Sequence, residues 1–219
     1  MREGFKVTAL EPTGVGFSHF DRMRAVVAET ARAQGVYPTL LDISAEMLAV
    51  KNQFDYAFSI NVMEHVDDVE RVLKRIGTSL CVDATYRFTC PNYLFPYEPH
   101  FNIPTLFFKK LTAMVLRKKI FGNQSIADPF GTWKSLNWIN VILLKRYVRR
   151  LTNFTLTFNR SILVSAIERI VSDTEFARRR SPAIRRVLLM LVRLRLHIFF
   201  RLLPTYFQPI MDCRMEKKC

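Results

Sequence analysis

Between Lys6 and Asn92 the chain switches repeatedly between two hydrophobic periods, and that alternation limits it to few folds. Short runs rich in β-formers occur at KVTALEP (6–12), VYPTLLDI (36–43), FDYAFSIN (54–61) and VDATYRFTCPN (82–92). Between them, HFDRMRAVVAETARAQG (19–35) reads as a helix that stops at Gly35. HVDDVERVLKRIGTSL (65–80) reads as a second helix, with Val66, Val69, Leu73 and Ile76 on one stripe. SAEMLAVKNQ (44–53) reads as a short turn or helical piece. Strands that alternate with helices predict an α/β fold with a mostly parallel sheet. A hydrophobic content of 49% is enough to fill its core.

After Pro104 the pattern changes. TLFFKKLTAMVLRKKIFG (105–122), SLNWINVILLKRYVRRL (135–151), SAIERIVSD (165–173) and SPAIRRVLLMLVRLRLHIFFRLLP (181–204) read as helices. NFTLTFNRS (153–161) and PIMDCRMEK (209–217) read as strands. The division expected is 1–104 as a partial α/β core and 105–219 as a helical, basic part completing the same domain. Charge divides the same way. Residues 1–100 carry a net charge of −3 and residues 101–219 a net charge of +17. The second part should attract phosphates, on lipid headgroups or nucleic acid. On a helical wheel Arg186, Arg193, His197 and Arg201 cluster, with Arg195 opposite. This suits either a helix at an anionic membrane surface or a helix packed on the sheet with snorkelling arginines. FARRRSPAIRR (176–186) matches no RNA-binding motif, which makes nucleic acid the less favoured partner.

The stretch 187–203 is interrupted by Arg193, Arg195, His197 and Arg201, so it does not meet the requirement of ~20 mostly apolar residues for a membrane span. Cys81, Cys90, Cys213 and Cys219 match no zinc spacing. They read as reduced thiols of a cytoplasmic protein, peripheral at most to a membrane, and no metal site is expected.

In open α/β sheets, ligands bind beyond the carboxyl ends of the strands. Glu11, Asp42 and Asn61 fall at such ends, as does CPNYLFPYEPHFNIP (90–104). Four prolines exclude a helix or central strand from that loop, and it carries Glu98, His100 and four aromatic side chains.

VTALEP, FDYAFSINVMEHV and CPNYLFPYEPHFNIP, in that order, resemble the class I S-adenosylmethionine-dependent methyltransferases over 6–104. The resemblance implies a Rossmann-like sheet. It implies that Glu11 holds the two ribose hydroxyls of the cofactor, a task suited to a carboxylate with two acceptor oxygens. By the same resemblance Asp42, Ser44 and Ala45 lie along the adenine, and Asn61 and Val62 along the methionine part. His65 and His100 are the candidate proton acceptors, because imidazole titrates near neutral pH. Glu98 would orient His100 or bind a substrate hydroxyl. Tyr93, Tyr97 and Phe101 would wall the methyl acceptor. The residues also admit plainer roles: Glu11 or His65 as caps, His100 as a structural group, and the loop aromatics as cover for the core.

The chain departs from the family at its start. Gly14 and Gly16 sit one place off the usual acid-to-glycine spacing, and too few strands follow them. KVTALEP is therefore the family's second strand, and the first strand and its Gly-rich loop are expected to be missing. The gap is expected to be filled by another segment or closed by direct pairing of the second and fourth strands. The activity implied is methylation of a small-molecule or lipid-linked acceptor at oxygen or nitrogen. The alternative is a truncated, catalytically impaired relative acting as a binding or membrane-surface module.

Overall fold

The computed structural model describes residues 3–12, 18–106, 108–178 and 182–218, with the backbone alone for 18–24. The elements run β1 (Thr8–Leu10), α1 (Ser18–Ala33), β2 (Thr39–Leu41), β3 (Phe54–Ile60), α2 (Val69–Ser79) and β4 (Leu80–Pro91). The expected proline loop follows and holds a small hairpin, β5 (Tyr97–Glu98) and β6 (Ile103–Pro104). Next come α3 (Lys109–Val115), α4 (Arg117–Phe121), α5 (Pro129–Ser135), α6 (Val141–Arg149), β7 (Phe154–Phe158), α7 (Ile162–Ser172), α8 (Thr174–Arg178), α9 (Pro182–Arg193) and β8 (Ile210–Lys217).

β1 pairs with β2 in parallel. A separate four-stranded sheet has the order β3-β4-β8-β7. Its first pair is parallel, and β8 runs antiparallel to both β4 and β7. The sheet is therefore parallel only in its first part. Neither expected outcome for the gap occurs: among the described residues no strand joins β1 to β3, and the two do not pair. Gly14 and Gly16 lie outside the described residues.

The two faces of the larger sheet differ, as the period of two along a strand requires. Ala57 and Ser59 of β3 stand beside Tyr86 and Phe88 of β4, and those beside Met215 and Cys213 of β8. These form the core face, where Tyr86, Phe88, Cys90, Met211, Cys213 and Met215 are all buried. α2 covers it with Val69, Val72, Leu73 and Ile76, and α6 adds Val141, Leu144 and Val148. Burial and the proximity of neighbouring groups raise the Cys90 and Cys213 thiols well above their usual range. The opposite face exposes an apolar stripe on β3: Tyr56 at 54%, Phe58 at 68% and Ile60 at 65%.

Farther along that opposite face the buried Asp212 pairs with the exposed Arg87. Asp212 accepts from Arg87 Nε at 3.0 Å and Nη2 at 2.7 Å, and from Asn159 Nδ2 at 2.8 Å. Burial pushes the Asp212 carboxyl up, but the hydrogen bonds from Arg87 and Asn159, with the Arg87 charge, outweigh it and hold it below its ordinary range. A depressed carboxyl contributes stability above its unfolded-state pKa and loses it as pH falls through the folded one. The stability advantage of the wild type over Asp212→Asn is therefore expected to shrink as pH drops below about 4. Urea melts at several pH values measure this; a difference that is flat with pH would refute it.

Several helices depart from the expectation. That over 105–122 divides into α3 and α4, and that over 135–151 starts only at Val141, where the Asn140 side chain accepts the Ile142 and Leu143 N–H groups and caps it. α2 starts at Val69, not His65, because the Asp68 side chain accepts the Arg71 N–H and caps it. His65 is thus not a helix cap. The long basic helix breaks at Arg195, whose φ of 57° is left-handed, and a 3-10 segment follows over Leu196–Leu202. The break turns His197 inward. It is buried, with its ring bonded to Glu168 and to the Leu191 carbonyl. The expected basic cluster therefore loses His197. No helix among the described residues is long and apolar enough to cross a membrane.

Candidate functional site

The site grows from the carboxyl end of β3. Asn61 adopts φ 53°, a left-handed conformation that asparagine tolerates better than most residues. Its N–H still donates to Thr89 O at 2.9 Å, so the chain leaves the sheet abruptly there. Residues 62–65 then form a turn closed by His65 N–H to Val62 O at 2.9 Å. Asn61 and Val62 are exposed, whereas Met63 and Glu64 point into the protein and are fully buried.

Asn137 clamps this turn. Its Nδ2 donates to Met63 O at 2.7 Å and to Val66 O at 2.8 Å, and its backbone N–H to Glu64 O at 2.9 Å. The segment carrying Asn137 also supports the proline loop: Tyr93 N–H donates to Ile139 O, and the Tyr93 ring stacks on Trp138 at 4.3 Å. A third attachment comes from the residues after β2, where Glu46 Oε1 accepts the Asp67 N–H at 3.0 Å. Ser44 and Ala45, at the 3-10 turn Ala45–Met47, are thereby tied to the loop that follows Asn61. Glu11 and Asp42, just past the paired ends of parallel β1 and β2, are both exposed.

Glu98, His100 and His65 meet. Glu98 is fully buried; its Oε1 accepts from His100 Nδ1 at 2.6 Å and from Tyr93 OH at 3.2 Å, and its Oε2 from Phe101 N–H at 2.7 Å. The His65 and His100 rings lie edge to face, with centroids 5.1 Å apart. Burial would lower the His100 pKa, but the Glu98 hydrogen bond and charge outweigh it and raise it. Burial first, and then the His100 charge, lower His65 to about 4. Glu64 joins the group, and burial pushes its carboxyl up to about 7.

The expected acceptor wall divides. Tyr93 and Phe101 are core residues, the latter packed edge-on against Trp133, and burial drives the Tyr93 phenol pKa upward. Tyr97 is at the surface, donating its hydroxyl to Asn102 at 2.7 Å. The plainer reading of the loop aromatics therefore holds for two of the three. Glu64, Ser135, Asn137 and Glu46 carry little signal in the sequence; the Glu-His pair at 64–65, at the edge of the segment that reads as a helix from 65, is the one that stands out.

Fold and strand-end site together define a Rossmann-like α/β protein of the methyltransferase type. A family model described as "Methyltransferase domain" matches residues 3–86. The chain is 45% identical over 216 residues to the uncharacterized proteins Rv1509 and MT1557 of two Mycobacterium tuberculosis strains, covering 99% of this chain and 73% of each relative. Its fold is similar to the crystal structure of YcgJ protein from Bacillus subtilis, with a TM-score of 0.51 at 12% identity over 98% of this chain and 83% of that one. The chain belongs to one family with these mycobacterial relatives, and its residues 3–86 match the methyltransferase domain.

Proposed function

We propose that the protein transfers a methyl group from S-adenosylmethionine to an oxygen or nitrogen of a lipid-linked or small-molecule acceptor. The observation that carries this reading is the Glu46–Asp67 hydrogen bond. It ties the segment after β2 to the loop after β3, so residues suited to adenine and to the methionine part share one edge. When bound, S-adenosylmethionine supplies an electrophilic methyl on a sulfonium. Glu11 holds the ribose hydroxyls; Asp42, Ser44 and Ala45 line the adenine; Asn61 and Val62 border the methionine part. His100, held by Glu98, accepts the acceptor's proton, and His65 borders it. Tyr97 is the aromatic group on the acceptor side.

A lipid-linked acceptor is favoured by α9 and the 3-10 segment after it. Ile184, Val187, Met190, Phe199 and Leu202 are more than half exposed there, among Arg185, Arg186, Arg193 and Arg201. Apolar side chains among cations suit the boundary of an anionic membrane.

Calorimetric titration of S-adenosylmethionine into the purified chain tests the reading. Saturable heat is expected, with thermal stabilisation that grows with ligand concentration. Glu11→Ala is expected to weaken binding by about 1.5–3 kcal/mol, ten- to hundredfold, since it removes charge-assisted hydrogen bonds. Neither heat nor stabilisation in the wild type would favour the second reading, a non-catalytic binding or membrane-surface module. That reading is supported by β1 and β3, which no strand among the described residues joins, and by the exposed stripe of Tyr56, Phe58 and Ile60.

A further inference from the structure

We propose that Glu64, His65 and His100 bind one divalent transition cation, Zn2+ or a close analogue, at the carboxyl end of β3. One ligand atom from each of the three residues lies within 4.8 Å of the others. Bonds of about 2.1 Å to a tetrahedral ion require ligand atoms about 3.4 Å apart. Small side-chain rotations supply that closure.

An independent observation points the same way. Glu64 is 0% exposed, and among the described residues no other residue donates a hydrogen bond to its carboxylate oxygens; its own backbone N–H offsets the burial only in part. A buried carboxylate without a donor from another residue is unfavourable unless a proton or a cation satisfies it. Glu98, equally buried, has donors on both oxygens. The contrast marks Glu64 as the group facing a ligand and Glu98 as the group holding one of that ligand's partners.

Hydrogen bonding orients both rings. The Ser135 hydroxyl donates its single proton to Thr132 O at 2.9 Å, so it accepts from His65 Nδ1–H at 2.9 Å. His100 Nδ1–H donates to Glu98 Oε1 at 2.6 Å. In both neutral rings the lone pair is then on Nε2, the atom we assign to the ion. An acceptor behind each ligating histidine, most often a carboxylate, a carbonyl or water, is the usual outer shell of such sites, and the Ser135 hydroxyl takes that place behind His65. Two imidazoles with one carboxylate favour zinc-like ions over Mg2+ or Ca2+, which prefer oxygen ligands. The carboxylates of Glu64 and Glu98 balance the two charges of the ion. Three protein ligands leave at least one position open, and His100, with 27% of its side chain exposed, lies on the accessible side.

Ion binding stands apart from the methyl-transfer reading; only the ion's use in catalysis rests on it. An acceptor hydroxyl on the open position would lose its proton more readily, to solvent on the accessible side, since both Nε2 atoms would be occupied as ligands. His100 would then serve as a ligand in place of its role as proton acceptor.

Co2+ titrated into the chelator-treated full chain is the test. Saturable visible absorption is expected at one ion per chain, displaced by Zn2+ and not by Mg2+. Glu64→Gln and His100→Gln are each expected to weaken Co2+ binding at least tenfold. Glu98→Gln, a positioning change, is expected to weaken it about 10–100-fold with the band shape kept. Glu64→Gln without metal is expected to melt no lower than the wild type; should it not fold, His100→Gln carries the comparison. No saturable band, or undiminished binding in both ligand variants, would overturn the site. So would a thiolate-to-cobalt charge-transfer band, which would place the ion on the cysteines. Loss of Co2+ binding with S-adenosylmethionine binding intact refutes this proposal alone, and the reverse result refutes only the methyl-transfer reading.

Discussion

Phe88→Ala is expected to destabilise the protein by about 3–5 kcal/mol, the range for deleting a buried aromatic ring. Phe88 is 0% exposed, in the middle of β4, between Ser59 of β3 and Cys213 of β8. Its ring stacks on Tyr86 at 4.8 Å, and the Tyr86 hydroxyl shares a 2.7 Å hydrogen bond with Ser59 Oγ. Truncation opens a cavity on the core face that strands hydrogen-bonded on both sides cannot collapse to fill. Phe58 is the control. It has the same side chain on the neighbouring strand but lies on the other face at 68% exposure. Phe58→Ala is expected to change stability by no more than about 0.5 kcal/mol. Urea denaturation of both variants decides the matter. Equal losses would mean that the β3 stripe is buried in the folded protein.

Asn137→Ala should have the second large effect, a loss of about 2–3 kcal/mol. Two donated bonds to Met63 O and Val66 O disappear, together with the bond that Asn137 Oδ1 accepts from Ile139 N–H at 3.1 Å. Those groups are partly or wholly shielded, so water replaces the bonds poorly. The loss is also local. Nothing else described holds both the Met63 and Val66 carbonyls, so amide hydrogen exchange around the 62–65 turn should accelerate more than in β4. Asn137→Asp is the sharper variant. It keeps the shape and the acceptor but sets a carboxylate oxygen against two carbonyls, and should destabilise at least as much as alanine. If Asn137→Asp is tolerated, the side chain is not the clamp.

Much of the architecture was legible because it depends on local periodicity. α1, α2, β3, β4, β7 and β8 all fall where the hydrophobic pattern placed them, with shifted ends. The errors lie where a competing local interaction won. Asp68 captured the start of α2 from His65, and Arg195 broke the basic helix and turned His197 inward. Of the site, Glu98 and His100 were legible as ionisable groups in a loop stiffened by prolines. Glu64 was not, because a glutamate beside a histidine after a strand looks the same whether it faces water or the core.

The amino-acid sequence by itself determined which segments become strands and helices, and which residues cap or break them, because those outcomes depend on neighbours a few positions away. Tertiary structure alone decided three things. Among the described residues it left β1 and β2 unjoined to β3, it exposed Tyr56, Phe58 and Ile60, and it closed Glu64, His65 and His100 into one group through Ser135 and Asn137. The last of these depends on contacts such as His65–His100, His65–Ser135 and Met63–Asn137, far apart in the chain, and such contacts leave no period to read.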